Sequence, residues 1–253
     1  MNLVFASGFL IPQNLLGIDY FHGVQAHIAG SHSTLFPVVP PFGTCEERAR
    51  VLADAIQQAF PEGPVHIIAH SMGGLDSRVL IARNLNGLST PGRIASLTTL
   101  STPHRGSPMA DLLAGPRPHG LRRGVYDSIG QTISRLGVSA GALAHLTTAS
   151  ASKVPDAAST HPHIRYRSYC ASGRAGPRPT CFILALPYRY MRTVTGQEND
   201  GVVALDSARY GEFQKPFWQC DHVDMTGHNL DGANLGGFQF DHLAAFDAII
   251  SRL

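Results

Sequence analysis

Lysine is nearly absent from this chain. Only Lys153 and Lys215 stand among its 20 basic residues, the rest being arginine. The formal net charge is +2, too small to mark a nucleic-acid binder. No apolar run approaches the roughly 20 residues needed to cross a bilayer. The opening Met1-Asn2-Leu3-Val4-Phe5-Ala6-Ser7-Gly8 has no positive leader and no small-residue cleavage pattern, which points to a cytoplasmic chain, with secretion of a processed form left open. No Cys-x-x-Cys pair occurs among the four cysteines, which argues against a zinc finger or a thioredoxin-type centre. Cys170 and Cys181 bracket a Gly/Pro/Arg stretch and can bridge in an oxidising compartment, whereas isolated buried thiols are the simpler reading.

What remains is a globular chain of 253 residues, 43% of them hydrophobic. Residues 3–7, 34–39, 64–69 and 94–100 read as apolar strands. The helices between them begin at Thr44-Cys45-Glu46-Glu47, a capping-box pattern, and at Met72, the latter running to Leu85. This alternation predicts a parallel sheet covered on both faces. From about 105 to 160 the pattern turns to helical pieces (Ser128–Leu136, Ala140–Thr147) between Gly and Pro breaks, which predicts an inserted cap. A strand is expected over Ile164–Cys170, an irregular Arg/Tyr-rich segment over 173–196, strands over Asn199–Leu205 and Pro216–Cys220, and a closing amphipathic helix over Phe238–Leu253. The reading is one α/β domain, residues 1–253, with a mostly parallel central sheet, flanking helices and a helical cap.

Ala69-His70-Ser71-Met72-Gly73-Gly74 lies where a strand passes into a helix. A sharp turn there lifts a serine hydroxyl above the sheet, and only small residues fit two positions to either side. Ser71 is therefore the candidate nucleophile; an ordinary helix N-cap is the bland alternative. A tetrahedral oxyanion needs two N–H donors. The amide of Met72 supplies one, and the loop after Ser7-Gly8 supplies the other from Phe9, with Leu10 as the alternate. Leu10, His70 and His104 are the candidate substrate-binding residues. The acid should come next and the histidine last. Asp200, in Asn199-Asp200-Gly201-Val202-Val203, is the first choice, with Asp206, Asp221 and Asp224 as rivals. Of the 13 histidines, His222 lies just past the last expected strand and is the candidate general base; His228 follows it, His242 falls in the closing helix, and His66 reads as a sheet residue.

Together these pieces resemble the α/β-hydrolase superfamily, and within it the bacterial triacylglycerol lipases of Pseudomonas and Burkholderia type or a related esterase. Glu47-Arg48-Ala49 with Leu52 is similar to their "ERA..L" helix, and Ala69–Leu75 to their "GHSQGGL" turn. Leu97–Ala110 (LTTLSTPHRGSPMA) is similar to "GTPHRGS..A", Asn199–Val203 to "NDGLV", and Asp221–Asp224 to "NHLDE". Leu146-Thr147, Pro155-Asp156 and Tyr166–Ala171 echo the family's cap and the strand after it. The 22-residue separation of Asp200 and His222 equals the family's acid-to-histidine spacing. The resemblance implies an α/β-hydrolase fold and a serine carboxylesterase or lipase working through an acyl-enzyme on small-molecule or lipid acyl esters, with Ser71, His222 and Asp200 as its triad. It departs from the family at Ser7, where a histidine is usual, at Met72, where glutamine is usual, and in lacking the family's cysteine near the acid. It also implies a structural calcium, with Asp224 matching one carboxylate ligand; no other cofactor is expected, and Asp224 bonding to its own loop is the alternative.

Two readings concern the cap. Leu112, Leu113, Ile129, Ile133, Leu136, Leu143 and Leu146 form a stripe that serves either as acyl pocket or, more simply, as cap core. The stretch from Asp156 to Glu198 carries Arg165, Arg167, Arg174, Arg178, Arg189 and Arg192 and no acid between. A solvated face is the default reading of it, and weak peripheral contact with anionic lipid the sharper one. Polyester depolymerase, thioesterase and non-catalytic binding module are the alternative functions carried forward.

Overall fold

The computed structural model describes residues 1–8, 19–41, 43–119, 121–135, 143–173, 181, 184–228 and 240–253. Six strands form one parallel sheet: β1 Asn2–Ala6, β2 Ser33–Leu35, β3 Val65–His70, β4 Ile94–Leu100, β5 Arg165–Tyr169 and β6 Glu212–Phe213. Their spatial order is β2-β1-β3-β4-β5-β6. The central strands are apolar on both faces because both faces are covered. Alternation along β1 divides them: Val4 and Ala6 join Ile67, Ala69 and Leu97 in one core, while Leu3 and Phe5 join Ile68, Leu100 and Tyr169 in the other.

The first core is closed by α2 (Cys45–Ala59) and α3 (Met72–Ala82), which bring Leu52, Ile56, Leu75 and Val79 against it. The second is closed by the short α1 (Val24–His27) and the C-terminal α10 (His242–Ile250). An aromatic cluster fills this face. Phe5 stacks on Phe36 at 4.5 Å between ring centroids and meets Phe21 edge-on at 5.5 Å, and Phe246 closes over both.

α2 starts as expected. The Thr44 N–H donates to Glu47 Oε2 at 2.8 Å and the Glu47 N–H donates back to Thr44 Oγ1 at 3.2 Å, a complete capping box. α3 is shorter than its sequence pattern, ending at Ala82 before a 3₁₀ turn at Leu85–Gly87. The regular structure of the expected insertion, among the described residues, is helical: α4 (Pro108–Ala114), α5 (Leu121–Arg135), α6 (Thr148–Ala151) and α7 (Ala157–Thr160). Ile129, Leu143 and Leu146 are buried in the first core, with Leu112 and Leu113 packed against it, so this part of the stripe is cap core. The side chains of Ile133 and Leu136 lie outside the described residues.

Three expectations fail. Residues 199–205 are not a strand, because the side chains of Asn199 and Asp200 take the amides of Gly201, Val202 and Val203 that a sheet would need. Only an isolated bridge between Asn199 and Ala204 survives, and a short helix, α9 (Leu205–Ala208), follows. Residues 216–220 make a single bridge, Ala171 to Trp218, and the sixth strand is instead Glu212–Phe213. The expected irregular segment contains α8 (Ala185–Thr195), which forms because Pro187 and Met191, four residues apart, both face the core. Among the described residues no helix is long and apolar enough to cross a membrane.

Thr44→Ala removes one arm of the box and is expected to lower stability by about 1 kcal/mol in urea unfolding at neutral pH. The Thr44 hydrogen bonds hold the Glu47 carboxyl below the usual glutamate value of 4.5. Its contribution is therefore present above that value and lost as the pH falls through the lower folded one. The gap between wild type and variant should narrow on acidification.

Candidate active site

β3 passes into α3 through Ser71, whose backbone sits at φ 55° and ψ −130°. That region is costly for a residue with a Cβ, of order 1–3 kcal/mol. The turn is held by close packing behind it. A Cβ on Gly73 would lie 2.3 Å from the Ala6 carbonyl oxygen, and one on Gly74 would lie 2.1 Å from Thr102 Oγ1. The Ser71 N–H is tied to the Leu100 carbonyl on β4 at 3.0 Å. Small residues at these positions let α3 start directly above the end of β1. Of the first-turn amides of α3, that of Gly74 donates to the Ser71 carbonyl at 3.1 Å, and that of Met72 precedes any intrahelical acceptor.

Ser71 Oγ lies 3.0 Å from His222 Nε2, and His222 Nδ1 lies 2.7 Å from Asp200 Oδ2. All three side chains are buried, Ser71 retaining 2% of its surface. Asp200 Oδ1 accepts the amides of Val202 and Val203 at 2.9 and 2.7 Å, which fixes the carboxylate, and the His222 N–H donates to the Asp200 carbonyl at 3.0 Å. The structure thus brings together three residues that lie far apart in the chain. The line of hydrogen bonds can take a proton from a hydroxyl and support the resulting imidazolium.

The rivals occupy other places. Asp221 Oδ1 accepts the amides of Val223 and Asp224, and its Oδ2 accepts that of Cys181 at 2.7 Å. Asp224 accepts the Asp221 amide at 3.1 Å, and Asp206 sits at the surface with Gln197 and Arg209. His228 Nε2 meets the Tyr20 carbonyl, His242 Nε2 the His22 carbonyl, and His66 Nδ1 the Ser96 hydroxyl. For calcium the fit is poor. Asp221 and Asp224 are turned onto loop amides, and the described residues contain no group of three or more His, Cys, Asp or Glu able to hold a metal. All four cysteines are buried, and no disulfide joins Cys170 to Cys181.

The candidate substrate-binding residues fare differently. Phe9 and Leu10 lie outside the described residues, so the second oxyanion donor does too. His104 is buried away from the three: its Nε2 bonds Thr99 Oγ1 at 3.1 Å, its ring stacks on Tyr210 at 4.5 Å, and the Arg78 guanidinium donates to its carbonyl. Burial, then Arg78, hold its imidazole well below the usual histidine value. This is a packing role, with Arg78 tying α3 to the cap carbonyls of Val154 and Pro155. His70 is interior as well. Its Nδ1 is 2.8 Å from the Tyr20 hydroxyl, and its ring lies 4.5 Å from that of His222.

Two contributors were given no part in the site by the sequence, although Arg48 stands in the "ERA..L" match. Tyr20 is one, 50 residues from the histidine it meets. Arg48 is the other. Fully buried, it donates Nε to Asp76 at 2.8 Å and its terminal nitrogens to the carbonyls of Pro40, Ser7 and Gly8. It therefore joins α2, α3 and the turn after β1, from which the second oxyanion donor is expected. Burial lifts the Asp76 carboxyl to about 6 despite the opposing pull of Arg48.

Comparisons with known proteins agree with this architecture. A family model described as the α/β hydrolase fold matches residues 41–160. The chain is 32% identical over 225 residues to triacylglycerol lipase 2 of Saccharomyces cerevisiae, covering 84% of this chain and 63% of that protein's length. It is 23% identical over 288 residues to a triacylglycerol lipase of Vibrio cholerae, covering 99% of this chain and 86% of the relative. Among solved structures, a metagenomic carboxyl esterase superposes with a TM-score of 0.74 at 17% identity, covering all of this chain and 75% of that one. A Staphylococcus hyicus lipase superposes with a TM-score of 0.69 at 20% identity, covering 99% and 94%.

Arg48→Met should destabilise the protein by about 3–5 kcal/mol in urea unfolding, since one member of a buried pair is removed. With its folded pKa raised above the unfolded value, Asp76 supports the fold when protonated at low pH, and that support is lost as the pH rises through about 6. Without Arg48 the loss is larger, so the deficit of the variant should widen between pH 4 and pH 8.

Proposed function

We propose that this chain, whose fold is that of the α/β hydrolases, is a carboxylic ester hydrolase, an esterase or lipase acting on acyl esters through a covalent acyl-enzyme. One observation carries the proposal: the unbroken line from Ser71 Oγ through His222 to Asp200, at 3.0 and 2.7 Å. The relatives named as triacylglycerol lipases support lipid esters as the substrate class.

The chemistry follows from that line. Ser71 Oγ attacks the ester carbonyl carbon as its proton passes to His222 Nε2. Asp200 holds the ring with Nδ1–H toward itself and stabilises the imidazolium. Negative charge gathers on the carbonyl oxygen, where the Met72 amide at the start of α3 and a second amide after Gly8, that of Phe9, receive it. Collapse breaks the C–O bond of the ester. The alcohol leaves with the proton from His222, and the acyl group stays on Ser71. Water then attacks the acyl carbon with His222 again as base, releasing the acid and restoring the serine. The neighbouring carboxyls Asp221 and Asp224 take no part, being occupied by loop amides.

A contact with lipid surfaces fits this reading. Among the basic residues that are described, Arg189 and Arg192 stand exposed on α8 beside the exposed Leu186 and Val194. Arg192 also pairs with Glu198 and Arg167 with Glu212, so part of the charge is spent within the fold.

Hydrolysis of p-nitrophenyl esters from acetate to palmitate tests the proposal. Wild type should turn over part of the series, Ser71→Ala none above background, and Asp200→Asn about 10⁴-fold less than wild type, because the ring is left in the wrong tautomer. The chain-length optimum separates an esterase from a lipase. A wild type inert towards every ester, or a Ser71→Ala variant as active as wild type, would overturn it.

A further inference from the structure

His70 is 1% exposed, directly precedes the nucleophile, and has no place in the proton transfer described above. Its surroundings define a chain of hydrogen bonds. The Gly8 backbone N–H points at the Tyr20 oxygen, and that oxygen would lie 2.5 Å from a Cβ on Gly8. Tyr20 Oη lies 2.8 Å from His70 Nδ1, and with Gly8 on its acceptor side the hydroxyl would donate its hydrogen to that nitrogen. The imidazole must then carry its proton on Nε2. That nitrogen is buried without a hydrogen-bond partner, in a ring that lies 4.5 Å from the His222 ring, and the His222 backbone is the polar group that bears on it. Tyr20 is itself anchored from the far side by His228, whose ring nitrogen meets the Tyr20 carbonyl at 2.9 Å.

We propose that Tyr20 and His70 form a positioning pair that links the turn at Gly8 to the backbone of His222, with the His70 Nε2–H closing onto the His222 carbonyl as His222 takes the Ser71 proton. This rests on the reading of Ser71, His222 and Asp200 as catalytic. An open buried donor is unfavourable, so closing it is a gain, and hydrogen bonds at catalytic centres tighten when the reacting complex forms. Movement of the His222 loop is thereby coupled to the turn from which the second oxyanion donor comes. A neutral ring suits this role. Burial first, then the rings of His222 and His228, hold His70 well below the usual histidine value, so no second positive charge develops 4.5 Å from the imidazolium. Burial likewise pushes the Tyr20 hydroxyl up, keeping it a donor across the working pH range.

The test uses the full chain and three readouts. Nitrogen-15 NMR of the histidines at neutral pH should show His70 protonated on Nε2 alone and still neutral at pH 5; a protonated Nδ1 or a charged ring overturns the pair. Tyr20→Phe, which removes one hydroxyl, and His70→Phe should each lower kcat about 10–100-fold with KM changed less than twofold, the size expected when a reacting group is displaced by a fraction of an ångström to one ångström. His70→Asn, which keeps an acceptor where Nδ1 stood, should recover part of kcat. Covalent labelling of Ser71 by a fluorophosphonate should slow in parallel. If wild type is labelled and Tyr20→Phe is labelled as fast, the pair has no positioning role. If wild type is neither labelled nor active on esters, the catalytic reading itself has failed, and NMR alone then decides whether the pair exists as described.

Discussion

A serine at φ 55° stays strained only while its neighbours allow the backbone no other course. Here the constraint is close packing between α3 and the end of β1. Gly73 lies against the Ala6 and Ser7 carbonyls, and Gly74 against Thr102, with no room for a side chain at either position. Everything above the sheet depends on this contact. It aims the hydroxyl of Ser71 away from the core, sets the first amides of α3 beside it, and brings the turn after β1 within reach of the same point. The sheet supports it, since β1, β3 and β4 are adjacent and in parallel register.

Around that turn the polar groups are buried and almost all paired. Arg48 spreads one guanidinium over Asp76 and three carbonyls. Asp200 spends one oxygen on loop amides and the other on His222. Such saturation keeps side chains in one arrangement, because any rotation strands a buried charge or dipole. Three buried side-chain atoms near the turn are left without a partner, His70 Nε2, Asp76 Oδ1 and Thr102 Oγ1, and the first of these belongs to a ring 4.5 Å from that of His222.

The strand and helix pattern was legible over the first hundred residues because two periodicities are clean there. β1, β3 and β4 are apolar runs ended by turn residues, and α2 opens on a capping box that the coordinates reproduce atom for atom. Legibility fades after residue 160. Asn199–Leu205 has the composition of a strand, yet its Asn and Asp side chains compete for the same backbone amides and win. α8 was hidden by its proline, its two arginines and the Gly- and Pro-rich stretch before it, since the two residues that hold it, Pro187 and Met191, take their meaning from the core they face.

By itself the sequence determined the parallel α/β architecture, the strand-to-helix turn at Ser71, and Asp200 and His222 as first choices for its partners. These are local facts: small residues beside a serine, polar turn residues before an apolar pair, a spacing shared with a known family. Only the tertiary structure tells which of Asp200, Asp206, Asp221 and Asp224 reaches the His222 ring and which are already taken by amides. It alone removed His104 to a stack on Tyr210 and set His70 beside His222. Tyr20 and Arg48 entered the site only there as well. Their contacts span tens of residues, and such distances leave no periodic trace in a chain, since they are set by how the layers pack.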